Sequence, residues 1–180
     1  TTLLPTRPVP PVTAQRRKGG IKVDVGGIAL HISPPPDPPM SLLPDRAALT
    51  ALAYQLGPSR YYQPAYRFIA AEVGPESGSF LDVGTGTGWL AIHVANGRRE
   101  VDSVGIDTSE PMLRYAEANK RGRLNVTFRR MDATNIIYPE RTFESAAAIQ
   151  SAHHWTDAAA IFAEVHRVLV EGGRFYVYEA

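Results

Sequence analysis

The 180-residue chain carries 19 Lys plus Arg against 18 Asp plus Glu, a net charge of +1, with 44% hydrophobic and 21% charged residues. That balance excludes wholesale disorder and gives no global attraction to nucleic acid or to an anionic membrane. No apolar run approaches the ~18 residues that span a bilayer, no signal-peptide pattern stands at the start, and the absence of cysteine removes disulfides, thiolate metal sites and cysteine nucleophiles.

Most of the 15 prolines fall before residue 65, and they mark the first segment, residues 1–41, as an arm. Pro5, Pro8, Pro10 and Pro11, and then the run Pro34 to Pro39 around Asp37, remove amide donors and favour extended polyproline geometry. Between them Ile21, Val23 and Val25 alternate, as do Ile28, Leu30 and Ile32, about Gly26-Gly27. Paired glycines accept the positive φ of a tight turn, so 21–32 reads as a β-hairpin that should dock on a sheet edge or a partner chain.

A helical cap is expected over 42–75, with helices near Asp45–Leu56 and Arg60–Val73. In the second, Tyr62, Ala65, Tyr66, Ile69 and Val73 fall on one face. Pro64 belongs in a first turn, which sets the start near Tyr61. From 76 to 180 the rhythm becomes strand, helix, strand: Phe80–Val83, a glycine loop, Trp89–Asn96, Val101–Ile106, Glu110–Lys120 with Ser109 as N-cap, Leu124–Arg130, Phe143–Ile149, Asp157–Val170, then Arg174–Tyr178. Ile161, Phe162, Val165, Val168 and Leu169 form one stripe of the last helix, and Gly172-Gly173 is expected to end it. Such alternation predicts an α/β fold: a Rossmann-like, mostly parallel sheet with helices on both faces, preceded by the hairpin and the cap.

Gly84, Gly86 and Gly88 lie between a strand and a helix, where missing side chains let a ligand approach the backbone. The spacing departs from the dinucleotide fingerprint, since Trp89 stands where the last glycine belongs, and no Lys-Ser/Thr follows to make a P-loop. Asp82, two residues before the loop, would repel a pyrophosphate and suits a ligand with an ammonium beside a sulfonium. Asp107 closes the next strand, where a carboxylate accepts from ribose hydroxyls. Asp132 follows the third strand and can accept from an exocyclic amine. Three acids at three successive strand ends form one constellation on the ligand-binding side of an open sheet.

Leu81-Asp-Val-Gly-Thr-Gly-Thr-Gly88, Gly105-Ile-Asp-Thr-Ser109 and Met131-Asp-Ala133 resemble successive motifs of class I S-adenosylmethionine-dependent methyltransferases. Ile149-Gln-Ser-Ala-His-His-Trp155 and Val165 to Gly173 resemble the later blocks. The pattern is most like the small-molecule branch that includes the ubiquinone and menaquinone methyltransferases, and it covers 79–180. The resemblance implies S-adenosylmethionine as cofactor and S-adenosylhomocysteine as product. Asp82 and the loop Gly84, Thr85, Gly86, Thr87 and Gly88 would surround the methionine portion, with Gln150 and Ser151 beside it. Asp107 would hold the ribose, Thr108 and Met112 would line the adenine, and Asp132 and Ala133 would meet its edge.

The implied reaction is in-line displacement of a methyl group from sulfonium to a small-molecule acceptor, with the stretch Tyr54 to Val73 expected as a lid over the acceptor site and orientation supplying roughly 7–11 kcal/mol. His153 and His154, after the fourth strand, are the candidate bases, while His93 and His166 fall inside helices and read as structural or exposed. The five histidines have no metal-ligand spacing. Basic pairs such as Arg98-Arg99 and Arg129-Arg130 read as solvated charge, which argues against RNA methylation. Asp82 and the glycine spacing argue against an NAD-dependent oxidoreductase. The resembling family continues past the fifth strand, so Phe175–Tyr178 is expected at an exposed edge, to be covered by the hairpin or by a second subunit. That leaves a cofactor-binding, non-catalytic module or assembly subunit as the alternative function. The missing initial Met and the stop at Ala180 are read as the ends of a fragment or a rebuilt variant, and the expected compartment is the cytoplasm.

Overall fold

Three antiparallel strands come first: β1 (Thr13–Arg17), β2 (Gly20–Val25) and β3 (Ile28–Ile32), in the order β1-β2-β3. The computed structural model describes residues 13–17, 20–25 and 28–32 by backbone alone, and 45–179 in full. The predicted hairpin is the pair β2–β3, with Ile21 opposite Ile32 and Val25 opposite Ile28. It gains a third strand, β1, whose Thr13-Ala-Gln-Arg-Arg17 carries no apolar alternation to mark it in the sequence. The polyproline tracts and the Gly26-Gly27 turn lie outside the described residues. These strands belong to one unit, Thr1–Leu42, and all that follows belongs to a second, Leu43–Ala180.

The second unit opens with α1 (Arg46–Leu56), capped by Asp45, whose carboxylate accepts from Ala48 N at 2.7 Å. The predicted helix Arg60–Val73 is two helices, α2 (Pro58–Tyr61) and α3 (Gln63–Val73). Pro64 has no N–H to donate, so the ladder restarts there with the proline in the first turn of α3. Of the predicted stripe, Tyr66, Ile69 and Val73 are buried and Tyr62 is half-buried, whereas Ala65 is exposed.

Five parallel strands follow in the order β6-β5-β4-β7-β8: β4 (Gly78–Val83), β5 (Val101–Asp107), β6 (Val126–Arg130), β7 (Phe143–Ile149) and β8 (Leu169–Tyr178). Between them run α4 (Trp89–Ala95), α5 (Glu110–Lys120) and α6 (Ala158–Val168). This is the predicted α/β fold. Strand periodicity decides which side chain meets which layer. Leu81 and Val83 pack with Ile161, Val165 and Val168 of α6, while Phe80 packs with Ile69, Val73, Leu90 and Val94 of α3 and α4. Phe80 and Leu81 are fully buried, each worth about 1.5–3 kcal/mol of transfer free energy.

The end of α6 corrects one expectation. The helix stops at Val168 and β8 begins at once, so Gly172-Gly173 does not terminate it. The carbonyls of Arg167 and Val168 accept from Arg141 N at 3.0 Å and Thr142 N at 2.7 Å, which turns the chain straight into the sheet. The glycines fall in an irregularity of β8, where Leu169 pairs with Phe143 but Arg174 already pairs with Ser145. β8 is an edge of the described sheet, as the sequence reading expected of Phe175–Tyr178. No helix among the described residues is long and apolar enough to cross a membrane.

Candidate functional site

The C-terminal ends of β4, β5 and β7, together with the loop after β6, open into one cavity of about 530 Å³. Parallel strands direct their C-terminal loops to the same side, so residues far apart in sequence converge there. Asp82, Gly84, Thr85 and Gly86 reach the cavity from β4 and its loop, and Asp107, Thr108 and Met112 from β5 and α5. Asp132 and Ala133 follow β6, and Gln150, Ser151 and His154 follow β7. Thr87, Gly88 and His153 do not line it.

Asp82 pairs in register with Gly105 of β5 and Ala147 of β7, so small residues flank it in mid-sheet. The carboxyl is buried, and its Oδ2 accepts from Thr85 Oγ1 at 2.6 Å and Ala91 N at 3.3 Å. Burial pushes it up to about 7, against the pull of these two hydrogen bonds and with help from the nearby Asp107 charge. Asp107 ends β5 with both oxygens engaged: Oδ2 accepts from Gly86 N and Oδ1 from Ser109 N, each at 2.8 Å. A carboxylate oxygen has a second lone pair, so either can still accept from a ligand hydroxyl. Asp132 Oδ1 accepts from Thr134 N at 2.9 Å and Thr134 Oγ1 at 2.8 Å, which holds this exposed carboxyl below its usual range.

The glycines of the loop serve different ends. A Cβ on Gly88 would lie 2.4 Å from Phe128 Cζ and 2.8 Å from Ala116 Cβ, so this position lets α4 pack on β6 and α5. A Cβ on Gly86 would meet nothing nearer than Tyr54 Cε1 at 3.9 Å. Gly86 therefore leaves bare backbone at the cavity, with φ +54.

The turn after β7 is fixed by Ser151 of the motif and by Glu179, which the motifs did not single out. Ser151 Oγ donates to Val83 O at 3.0 Å, bridging β4 and β7. Glu179 accepts from Ser151 N at 3.0 Å and Ala152 N at 2.6 Å, and its Oε2 lies 2.7 Å from His153 Nδ1. His153 is thus turned toward Glu179, and His154 faces the cavity. His93 lies 2.9 Å from Gln63 Oε1 and stacks on Trp89, a packing role.

The cap contributes Thr50, Tyr54 and Tyr66 to the wall, and the Tyr54 and Tyr66 hydroxyls are 3.0 Å apart. Burial raises both phenols above their usual range, so both are neutral at ordinary pH. Tyr66 lies on the aromatic stripe read in the sequence, and Tyr54 opens the stretch expected as a lid. Among the described residues the cavity lining holds three carboxylates and no Lys or Arg. That set of acceptors, with the bare backbone at Gly86, fits a ligand that is cationic at one end and rich in hydroxyl and amine donors.

A methyltransferase-domain family model matches residues 81–177. The ubiquinone/menaquinone biosynthesis C-methyltransferase of Desulfotalea psychrophila is 33% identical over 109 residues, 60% of this chain and 44% of that protein. A crystal structure named as an S-adenosylmethionine-dependent methyltransferase of Methanococcus maripaludis superposes with TM-score 0.63 at 23% identity, covering 77% of this chain and 66% of that one. The cyclase SpnF superposes with TM-score 0.57 at 32% identity, covering 62% of this chain and 43% of that one. The chain spans about half the length of the curated relatives it matches.

Proposed function

The chain belongs to the methyltransferase-domain family, and on that premise we propose that it binds S-adenosylmethionine in this cavity and passes the methyl group to a small-molecule acceptor, leaving S-adenosylhomocysteine. The observation that carries the reading is the pair Asp82 and Asp107 beside the bare backbone of Gly86, in a lining that, among the described residues, has no Lys or Arg. A sulfonium and an ammonium would gain from the Asp82 carboxylate in a buried setting, where charge is weakly screened. Relatives named for ubiquinone, menaquinone and sterol methylation support a small-molecule acceptor.

Asp82 and the Gly84–Gly86 backbone would hold the methionine end, Asp107 the ribose, and Met112, Asp132 and Ala133 the adenine. Gln150 and Ser151 would border the methionine end from β7. The cofactor supplies an activated methyl group, so the chain's own task is alignment and exclusion of water. Tyr54 and Tyr66 would wall the acceptor end. His154 faces the cavity and would take a proton where the acceptor must lose one as it attacks.

Calorimetric titration with S-adenosylmethionine and S-adenosylhomocysteine tests the reading, with saturable binding of both as the expected result. Radiolabelled cofactor incubated with metabolite extract then tests transfer. The likeness to a protein named as a cyclase favours one second reading, a cofactor pocket serving chemistry other than methyl transfer. Binding without label transfer would support it, and preference for NADH over both ligands would overturn both readings.

A further inference from the structure

Among the described residues, helix α1 buries only Ala51, while Leu49, Leu52 and Leu56 are exposed. Apolar burial therefore gives this helix little hold on the sheet, yet it supplies Thr50 and Tyr54 to the cavity wall. Polar links do the holding. Gln55 Nε2 donates to Asn119 Oδ1 at 3.0 Å, and Asn119 Nδ2 donates back to Gln55 Oε1 at 3.2 Å. The same Nδ2 donates to Thr87 O at 3.0 Å. On the far side, Trp89 Nε1 donates to Ser59 Oγ at 3.0 Å, and Ser59 Oγ donates to Gln55 Oε1 at 3.4 Å. The circuit begins and ends on the glycine-loop junction, at Thr87 and Trp89.

We infer that Asn119, which does not line the cavity, is a positioning residue for ligand binding: it fastens α1 to the glycine loop so that Tyr54 is held over Gly86. Tyr54 is next to Gln55 in α1, and its ring Cε1 would lie 3.9 Å from a Cβ on Gly86, nearer than any other atom outside the adjoining loop residues. Freed from Asn119, α1 keeps, among the described residues, the tie of Tyr54 to Tyr66 at the cavity and the longer link of Gln55 through Ser59 to Trp89 on the far side, but no tie to Thr87. The circuit also gives Thr87 a part in the site through its carbonyl rather than through ligand contact. This inference rests on the cavity being the cofactor site.

The test is titration of S-adenosylhomocysteine into the full chain and its Asn119→Ala, Asn119→Asp and Asn119→Gln variants, with hydrogen exchange followed helix by helix. Asn119→Ala is expected to weaken affinity about tenfold, the scale of one or two net hydrogen bonds, with faster exchange confined to α1. Asn119→Asp keeps an acceptor for Gln55 but offers no donor to Thr87, so it should match the alanine variant. Asn119→Gln keeps donors and acceptor and should recover part of the affinity. Equal losses in all three variants with faster exchange across the whole chain would overturn the positioning role, as would unchanged affinity in Asn119→Ala. If the wild-type chain does not bind the ligand, the functional reading fails by itself. Exchange of α1 in ligand-free Asn119→Ala then decides the fastening: faster exchange there supports it, and an unchanged rate overturns it.

Discussion

Thr85 donates its hydroxyl to Asp82 Oδ2 at 2.6 Å, tying a buried carboxyl to the loop that follows its strand. Burial nevertheless pushes that carboxyl up to about 7. A cationic ligand favours the ionised form, so binding S-adenosylmethionine near neutrality should release a proton and strengthen as pH rises. Below pH 7 the dissociation constant should rise toward about tenfold per pH unit. The free protein shows the opposite sign: a raised carboxyl stabilises the fold below its ordinary value of 3.8, and this is lost as pH climbs through about 7. Calorimetry in buffers of different ionisation enthalpy reads the proton directly. Affinity that stays flat from pH 6 to 8 would sink the assignment, and Asp82→Asn should flatten it.

Asp107 combines two tasks, because its oxygens hold Gly86 N and Ser109 N at 2.8 Å while facing the cavity. Asp107→Ala should weaken cofactor affinity by about 1.5–3 kcal/mol, the scale of hydrogen bonds to a charged acceptor. It should also lower the melting temperature, since two amides lose their partner. Asp107→Asn keeps one acceptor oxygen and should lie between alanine and wild type on both measures. Unchanged affinity in Asp107→Ala would argue against a ribose contact.

Two glycines of one loop should fail in different ways. Gly88→Ala would place a Cβ 2.4 Å from Phe128 Cζ at φ +83, so it should destabilise the fold by about 3 kcal/mol or more. Gly86→Ala meets open space at φ +54 and should cost only the left-handed backbone term of about 1–2 kcal/mol. Its methyl group would instead stand where the ligand approaches, so affinity should drop more than stability. Urea denaturation and calorimetry on both variants check the split. A Gly86→Ala protein that binds like wild type would remove the close-approach argument.

The sheet and the acids at its strand ends were legible because each rests on local signals: apolar runs, a loop of glycines, one carboxylate per strand end. Glu110–Lys120 and Phe143–Ile149 have the predicted bounds for that reason. Thr87 and Gly88 read as ligand contacts from their motif, yet neither lines the cavity, and Gly88 instead packs against Phe128 and Ala116. His153 and His154 were indistinguishable in sequence, and Glu179, distant in the chain, separates them. The stretch Tyr54 to Val73 reads as a lid over the acceptor site, but what anchors it was hidden for the same reason. Tyr54, Gln55 and Asn119 matter through partners many residues away, and no periodicity encodes a pairing of that kind.

Arg167 carries the last prediction. Its guanidinium donates to Tyr138 O at 2.9 Å and Ile136 O at 2.7 Å, and to both oxygens of Glu164 at 2.8 Å. Glu164 in turn accepts from Ile136 N at 2.8 Å, so the pair fixes the far end of the loop that begins at Asp132. The Arg167 bonds hold the Glu164 carboxyl down to about 2, against a smaller opposing effect of burial and with help from the Ile136 amide. A lowered carboxyl stabilises the fold above its ordinary value of 4.5, and this contribution is lost as pH falls through about 2. Lysine offers one compact ammonium in place of a planar fork and cannot reach two carbonyls and two carboxylate oxygens together. Arg167→Lys should therefore destabilise the protein by about 1–2 kcal/mol in urea at pH 7 and reduce the protection of Ile136 and Tyr138 in hydrogen exchange. A lysine variant as stable as wild type would mean that the exposed side of this pair is screened by water, as at most surface ion pairs.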